Sequence, residues 1–173
     1  AFKRELWKNE TAASSKELES AKAFNRTADE IGEANEAVGF SDHGNNYLQR
    51  LSGVVTAPAD GAYQFYLTSD DHSVLTIQEV GAPKTTQVIA RVDGYSDPTG
   101  WESDPSQISA SIQLQAGSKY LLEARHAQGG GGNHLAIGWK LPSGSFERPI
   151  GREEVDPNIS AFARRTIAAN LAL

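Results

Sequence analysis

The chain of 173 residues contains no cysteine. Disulfides and thiolate metal sites are therefore excluded, and the usual clue to redox compartment is missing. Methionine is absent too, and no stretch approaches the roughly 20 apolar residues of a membrane-spanning helix, so membrane insertion is not expected. Basic residues are in the minority, with 16 Lys and Arg against 22 Asp and Glu and a formal net charge of -6. Binding to a phosphate backbone needs clustered Lys and Arg, which makes nucleic acid an unexpected partner. Neither a Gly-x-Ser-x-Gly nucleophile elbow nor a Gly-x-x-x-x-Gly-Lys-Ser/Thr phosphate loop is present. The sequence opens at Ala1 without a charged-then-apolar leader. It reads as a segment of a longer, multidomain protein whose export signal would lie upstream.

What the chain does have is short runs with a two-residue period. Residues 8–46 are polar and small, a long lead-in with few apolar anchors beyond Leu18, Phe24, Ile31, Val38 and Phe40. From Leu51 the alternation begins. Tyr63, Phe65 and Leu67 share one face of a predicted strand, and Val74 to Ile77 follow. Ile108, Ala110, Ile112 and Leu114 alternate with polar residues, as do Tyr120, Leu122 and Ala124 after the turn Gln115–Ser118, so these two runs read as antiparallel neighbours. Leu135, Ile137 and Trp139 complete the pattern. The fold class expected is all-β, an antiparallel β-sandwich, with Trp7 and Trp139 in its core. Ile159, Phe162, Ala163, Thr166 and Ile167 recur at helical spacing, which divides the chain into a domain over 1–158 and a tail or linker over 159–173 whose pattern is that of a short helix.

Two segments carry candidate chemistry. Asp70 and Asp71 end a predicted strand, where adjacent side chains point to opposite faces. Both can face one ion only if the backbone bends, for instance through a cis peptide; otherwise they are turn residues that hydrogen-bond nearby amides. The second segment, Gln128-Gly129-Gly130-Gly131-Gly132-Asn133-His134, has four residues without a Cβ between two amide side chains. Such a loop lets backbone approach a ligand closely and offers neutral oxygens, which suit calcium with its six to eight oxygen ligands. A flexible hairpin tip is the alternative, and a phosphate cradle is disfavoured because the loop opens into a strand. His72 and His134 lack zinc spacing. Adjacent carboxylates on one ion do not resemble a glycosidase pair, whose members flank the scissile bond about 5 to 9.5 Å apart. Trp101, Tyr95, His72 and His134 are candidates for stacking on or hydrogen-bonding a sugar, with core packing the stronger alternative for each aromatic.

These residues carry a resemblance. Gly61 to Leu75, with its Thr68-Ser69-Asp70-Asp71-His72 centre, Leu114 to Tyr120 and Gly132 to Trp139 together resemble the PA-fourteen domain, named after the anthrax protective antigen and found in bacterial adhesins, glycosidases and yeast flocculation lectins. Arg4-Glu5-Leu6-Trp7, Asn46 to Gly53 and Glu147-Arg148-Pro149-Ile150 are similar to a bacterial subgroup, so the resemblance spans about residues 2–157. It implies a jelly-roll-like sandwich in which Asp70 and Asp71, joined by a cis peptide, bind a calcium ion that coordinates sugar hydroxyls. The second calcium loop of the family maps onto Gln128 to His134. Expected metal ligands are Asp70, Asp71, Gln128, Gly129, Gly130 and Asn133; expected sugar contacts are Asp70, Asp71, His72, Gly131, Gly132, Asn133, His134 and Trp101. Where some relatives carry acidic residues, Gln128 and Asn133 make this site less negative. The function implied is a calcium-dependent lectin or adhesin module, non-enzymatic and extracellular, secreted or displayed at a cell surface, with glycans as partners. The alternatives are a structural or protein-interaction module and a non-catalytic accessory domain of a glycoside hydrolase.

Overall fold

The computed structural model describes residues 1–81 and 86–152. The tail 159–173, its expected helix and the boundary at 158 lie outside the described residues. The described strands are β1 (Phe2–Lys8), β2 (Glu30–Ala34), β3 (Tyr47–Thr56), β4 (Gly61–Asp70), β5 (Ser73–Glu79), β6 (Gln87–Val92), β7 (Ile112–Leu114), β8 (Lys119–Gln128), β9 (His134–Lys140) and β10 (Phe146–Glu147). They form two antiparallel sheets, one of six strands in the order β2-β1-β3-β8-β5-β6 and one of four in the order β10-β9-β4-β7. A one-turn helix, α1 (Ser15–Leu18), and 3-10 turns at Lys22–Asn25 and Pro105–Gln107 complete the elements.

Alternation decides the layers. Phe65 and Leu67 of β4 stand opposite Trp139 and Ile137 of β9, while Leu75 of β5 stands opposite Ala124 of β8. These side chains are buried with Leu51, Tyr63, Leu122 and Leu135 in one cluster between the sheets, and Trp139 belongs to it. A second cluster covers the outer face of the six-stranded sheet, where Leu18, Ala23 and Phe24 of the lead-in pack on Trp7, Leu48, Val74 and Ala127. Trp7 and Phe24 meet edge to face at 5.0 Å. The guanidinium of Arg125 lies over Phe24 and donates to the carbonyls of Leu18 and Glu19 at 3.0 and 3.1 Å. The lead-in is thus a built cap, with β2 at its far end.

One expectation fails. The run 108–114 is a strand only over Ile112–Leu114, and it pairs with β4, whereas β8 lies between β3 and β5 in the other sheet. Upstream, Asp104 and Gln107 close a capping box around the Pro105–Gln107 turn. Ser109 then keeps to β4 irregularly: its N–H donates to the Phe65 carbonyl and its Oγ accepts from Phe65 N–H, both at 2.9 Å. Alternation reports which face a residue takes and says nothing of which strand pairs with it. Tyr63 to Leu67 and Val74 to Ile77 likewise belong to opposite sheets.

Replacing Leu67, which has no exposed surface, with Ala is expected to cost about 2–5 kcal/mol, whereas Val54→Ala at a residue 53% exposed should stay within about 0.5 kcal/mol. Urea unfolding of both variants in chelator measures the difference.

Candidate functional site

Two of the crossovers from one sheet to the other lie at the same end of the sandwich. Asp70-Asp71-His72 carries the chain from β4 to β5, and Gly129 to Asn133 carry it from β8 to β9. Because β4 pairs with β9 and β5 with β8, the crossovers lie side by side: Asp70 faces His134, and Ser73 faces His126. The corner is stitched by Asp71 N–H to the Ala127 carbonyl (3.1 Å) and Ala127 N–H to the His72 carbonyl (2.9 Å). Ser69 Oγ donates to the Asp71 carbonyl at 2.6 Å.

The Asp70–Asp71 peptide is cis. Both carboxylates meet the glycine loop. Asp71 Oδ2 accepts from Gly129 N–H at 2.8 Å, and a Cβ at Gly129 would stand 3.3 Å from that oxygen. A Cβ at Gly132 would come within 3.1 Å of Asp70 Oδ2, and Gly131 has a φ of +79°. At these positions the absence of a side chain is what admits the loop to the carboxylates. A Cβ at Gly130 would meet nothing within 4 Å, so that residue faces open space. The Gly129 carbonyl accepts from Asn46 N–H at 2.9 Å and the Gly131 carbonyl from Gln128 Nε2 at 3.2 Å.

Gln128 is 1% exposed, and its Oε1 is buried without a hydrogen-bond partner. Directly opposite it in the sheet, the buried Tyr47 hydroxyl is likewise unpartnered. Burial, with the charge of Asp42, pushes the Tyr47 phenol up to about 12. Orphaned buried oxygens are costly unless something else satisfies them. Asp71, Gln128 and Gly129 line one cleft of about 240 Å³. Among the described residues no group of three or more His, Asp or Glu side chains is placed to hold a metal. A cation here would be met by two carboxylates and neutral oxygens, a donor set that suits calcium and not zinc.

The PA14 domain family model matches residues 3–150. The chain belongs to the PA14 domain family. Its fold is that of the PA14 sugar-binding domain of an RTX adhesin, with a TM-score of 0.60 over 85% of this chain and 93% of that one at 15% identity. The PA14 domain of the antifreeze protein MpAFP aligns at 0.61 over 87% of each chain, also at 15% identity. The A domain of epithelial adhesin 9 from Candida glabrata, solved with Galβ1-4GlcNAc, aligns at 0.58 over 84% of each at 11% identity. Among curated proteins, human fibrocystin-L is 30% identical over 79 residues, 46% of this chain. Mouse fibrocystin is 32% identical over 92 residues, 49% of this chain. The alignments span 2% of the length of each of these two relatives.

The remaining candidates fall into three groups in this PA14 domain. His72, His134 and Asn133 lie at the corner but are engaged. His72 Nδ1 accepts from Gly94 N–H (2.9 Å), His134 Nε2 donates to the Ser96 carbonyl (2.7 Å), and Asn133 Oδ1 accepts from Asp42 N–H (2.9 Å). Tyr95 bridges to Asp70 and is 70% exposed, an aromatic face open beside the pair. Trp101 departs from expectation: it is 8% exposed and its ring lies 3.3 Å from where a Gly138 Cβ would stand, packed on β9 well along from His134. It has no open face on which a sugar could stack.

A buried polar relay stands behind the pair. His126, fully buried, donates from Nε2 to the Asp70 carbonyl at 2.7 Å and accepts at Nδ1 from Gln49 Nε2 at 2.9 Å. Gln49 in turn accepts from Phe40 N–H (2.8 Å) and donates to its carbonyl (3.1 Å). A Cβ at Gly39 would fall 2.7 Å from Gln49 Oε1, so only glycine leaves room for the clamp. Residues 39–46 are therefore a third loop of the site, since Asp42 and Asn46 also hold Asn133 and Gly129.

Burial lowers His126 to about 4. Burial, a hydrogen bond with Asp71 and the Asp71 charge raise Asp70 to about 6. The two act oppositely on stability. Between about pH 4 and 6 the unfolded chain binds more protons at His126, which makes stability rise with pH, and fewer at Asp70, which makes it fall. In chelator, Asp70→Asn should remove the falling part, so its melting temperature should climb more steeply from pH 4 to 6 than that of the parent. Parallel profiles would contradict the assignment.

Proposed function

We propose that this PA14 domain is a calcium-dependent carbohydrate-binding module of a secreted or cell-surface protein. The observation that carries this reading is the convergence of two adjacent carboxylates on a four-glycine loop beside the orphaned Gln128 Oε1. Asp70, Asp71 and Gln128 would hold the ion with loop carbonyls, and the bound calcium would supply open coordination positions for vicinal hydroxyls. The Asn133 oxygen, already accepting one hydrogen bond, has a second lone pair to give. Tyr95 offers a stacking face at the rim.

Likeness to solved adhesin domains supports the same reading. One is described as sugar-binding and another was solved with a galactoside. The carboxylates are neighbours in the chain and converge, which suits binding and not glycoside hydrolysis. An extracellular setting accords with the adhesin-type neighbours, and no helix among the described residues is long and apolar enough to cross a membrane.

Calorimetric titration of chelator-stripped protein with calcium, followed by a glycan array with and without the ion, tests the proposal. Saturable calcium binding and calcium-dependent glycan hits are expected. Asp71→Asn should weaken calcium binding by at least about tenfold and remove the glycan hits with it. Glycan binding that persists in that variant would sink the proposal, and calcium binding without glycan hits would leave a structural role.

A further inference from the structure

Beside the aspartate pair lies a larger cleft, about 460 Å³, walled by the lead-in. We propose that this cleft is a second saccharide subsite, which receives the next neutral sugar of a glycan whose first residue sits at Asp70 and Asp71; the proposal rests on the carbohydrate-binding reading above. Thr11 and Ala12 line both this cleft and the one that holds Asp71, His72, Gln128 and Gly129. The two clefts therefore adjoin along Thr11 and Ala12. The volume of the larger lies in the range of small-molecule sites, roughly 300–1,000 Å³.

The lining is two-sided in character. Ala12, Ala21, Ala23 and Leu48 give an apolar floor, and Ser20 and Lys22 stand on the rim. A pyranose ring is two-sided in the same way, with C–H faces and hydroxyl edges. The cleft is close to charge-balanced. Arg26 pairs with Glu10 at 3.1 Å, and Glu17 accepts from Ala13 N–H at 2.8 Å while Lys22 supplies a positive charge. That balance favours a neutral hexose over an acidic one.

The wall is also fixed in place. Ser15 donates to both oxygens of Asp93 at 2.8 and 2.9 Å, Arg91 grips Glu19 at 2.6 Å, and Arg125 holds the carbonyls of Leu18 and Glu19. Asp93 is also 3.8 Å from His72 Nδ1, and the next residue, Gly94, donates to that same nitrogen. The lead-in is thus anchored to residues that hold the neighbour of Asp71, and a preformed wall lowers the ordering cost of binding a longer ligand.

The test uses calcium-loaded protein titrated with methyl glycosides of galactose, glucose, mannose and fucose, and with a tetrasaccharide ending in each. For the sugar that binds, the tetrasaccharide should bind at least about tenfold more tightly than the methyl glycoside. Ser20→Trp, at an exposed position, should close that gap and leave both the methyl glycoside and calcium affinities unchanged. Lys22→Ala should lower tetrasaccharide affinity alone. Equal affinities in the parent protein, or a gap that survives both variants, would overturn the subsite. No binding of any probe, or binding that persists in chelator, would remove the carbohydrate reading itself and the subsite with it, a result distinct from the other two.

Discussion

The hydrogen bond from His126 to the Asp70 carbonyl is the contact on which the site depends. It lies where the interior of the sandwich changes character: along the inner face of β3 and β8, Leu51, Leu122 and Ala124 give way to Tyr47, Gln49, His126 and Gln128. A buried neutral imidazole is tolerated there because both of its nitrogens are used. With the carbonyl between the two aspartates turned inward to His126, the carboxylates are left on the glycine-loop side. Removing one member would strand the others in a low-dielectric interior, which is why such relays fix one arrangement.

The sandwich contributes rigidity and proximity. Two crossovers that are more than fifty residues apart in sequence become neighbours because β4 and β9 pair in one sheet while β5 and β8 pair in the other. Burial first, and then the hydrogen bond with Asp71 and its charge, raise Asp70 at this corner. Like charges held together favour either a proton or a cation. The loops hold the two carboxylates together at the end of a packed core.

Much of this was legible in the sequence. The two-residue period identified β4, β8 and β9 and the apolar residues each turns inward, and the Asp pair and the four glycines marked the two crossovers. Pairing was not legible, because alternation is blind to partners; β7 and β8 follow one another and lie in opposite sheets. The relay was missed although a signal existed. Continuing the inward series Tyr120, Leu122, Ala124 by two and four residues arrives at His126 and Gln128, polar groups at core positions. Their partner Gln49 gave no such warning, because β3 starts at Tyr47, before the alternation becomes clear at Leu51. For Trp101 the sequence offered sugar stacking with core packing as the stronger alternative, and packing is what occurs, because the bare backbone at Gly138 gives its ring a place.

The ends of the described chain carry a mechanical consequence. Phe2 pairs with Ala34, and at the other end the Ile150 carbonyl accepts from Ala37 N–H while Arg152 pairs with Glu36 at 2.8 Å. Chain entry and exit thus meet on one short segment, residues 34–37. The opposite end of β1, at Lys8, is the one that stands beside Tyr47 and so faces the aspartate corner. Tension passed along the polypeptide would be carried across that segment, leaving the aspartate corner out of the line of force. A tether that pulls on the module would strain its base before that corner.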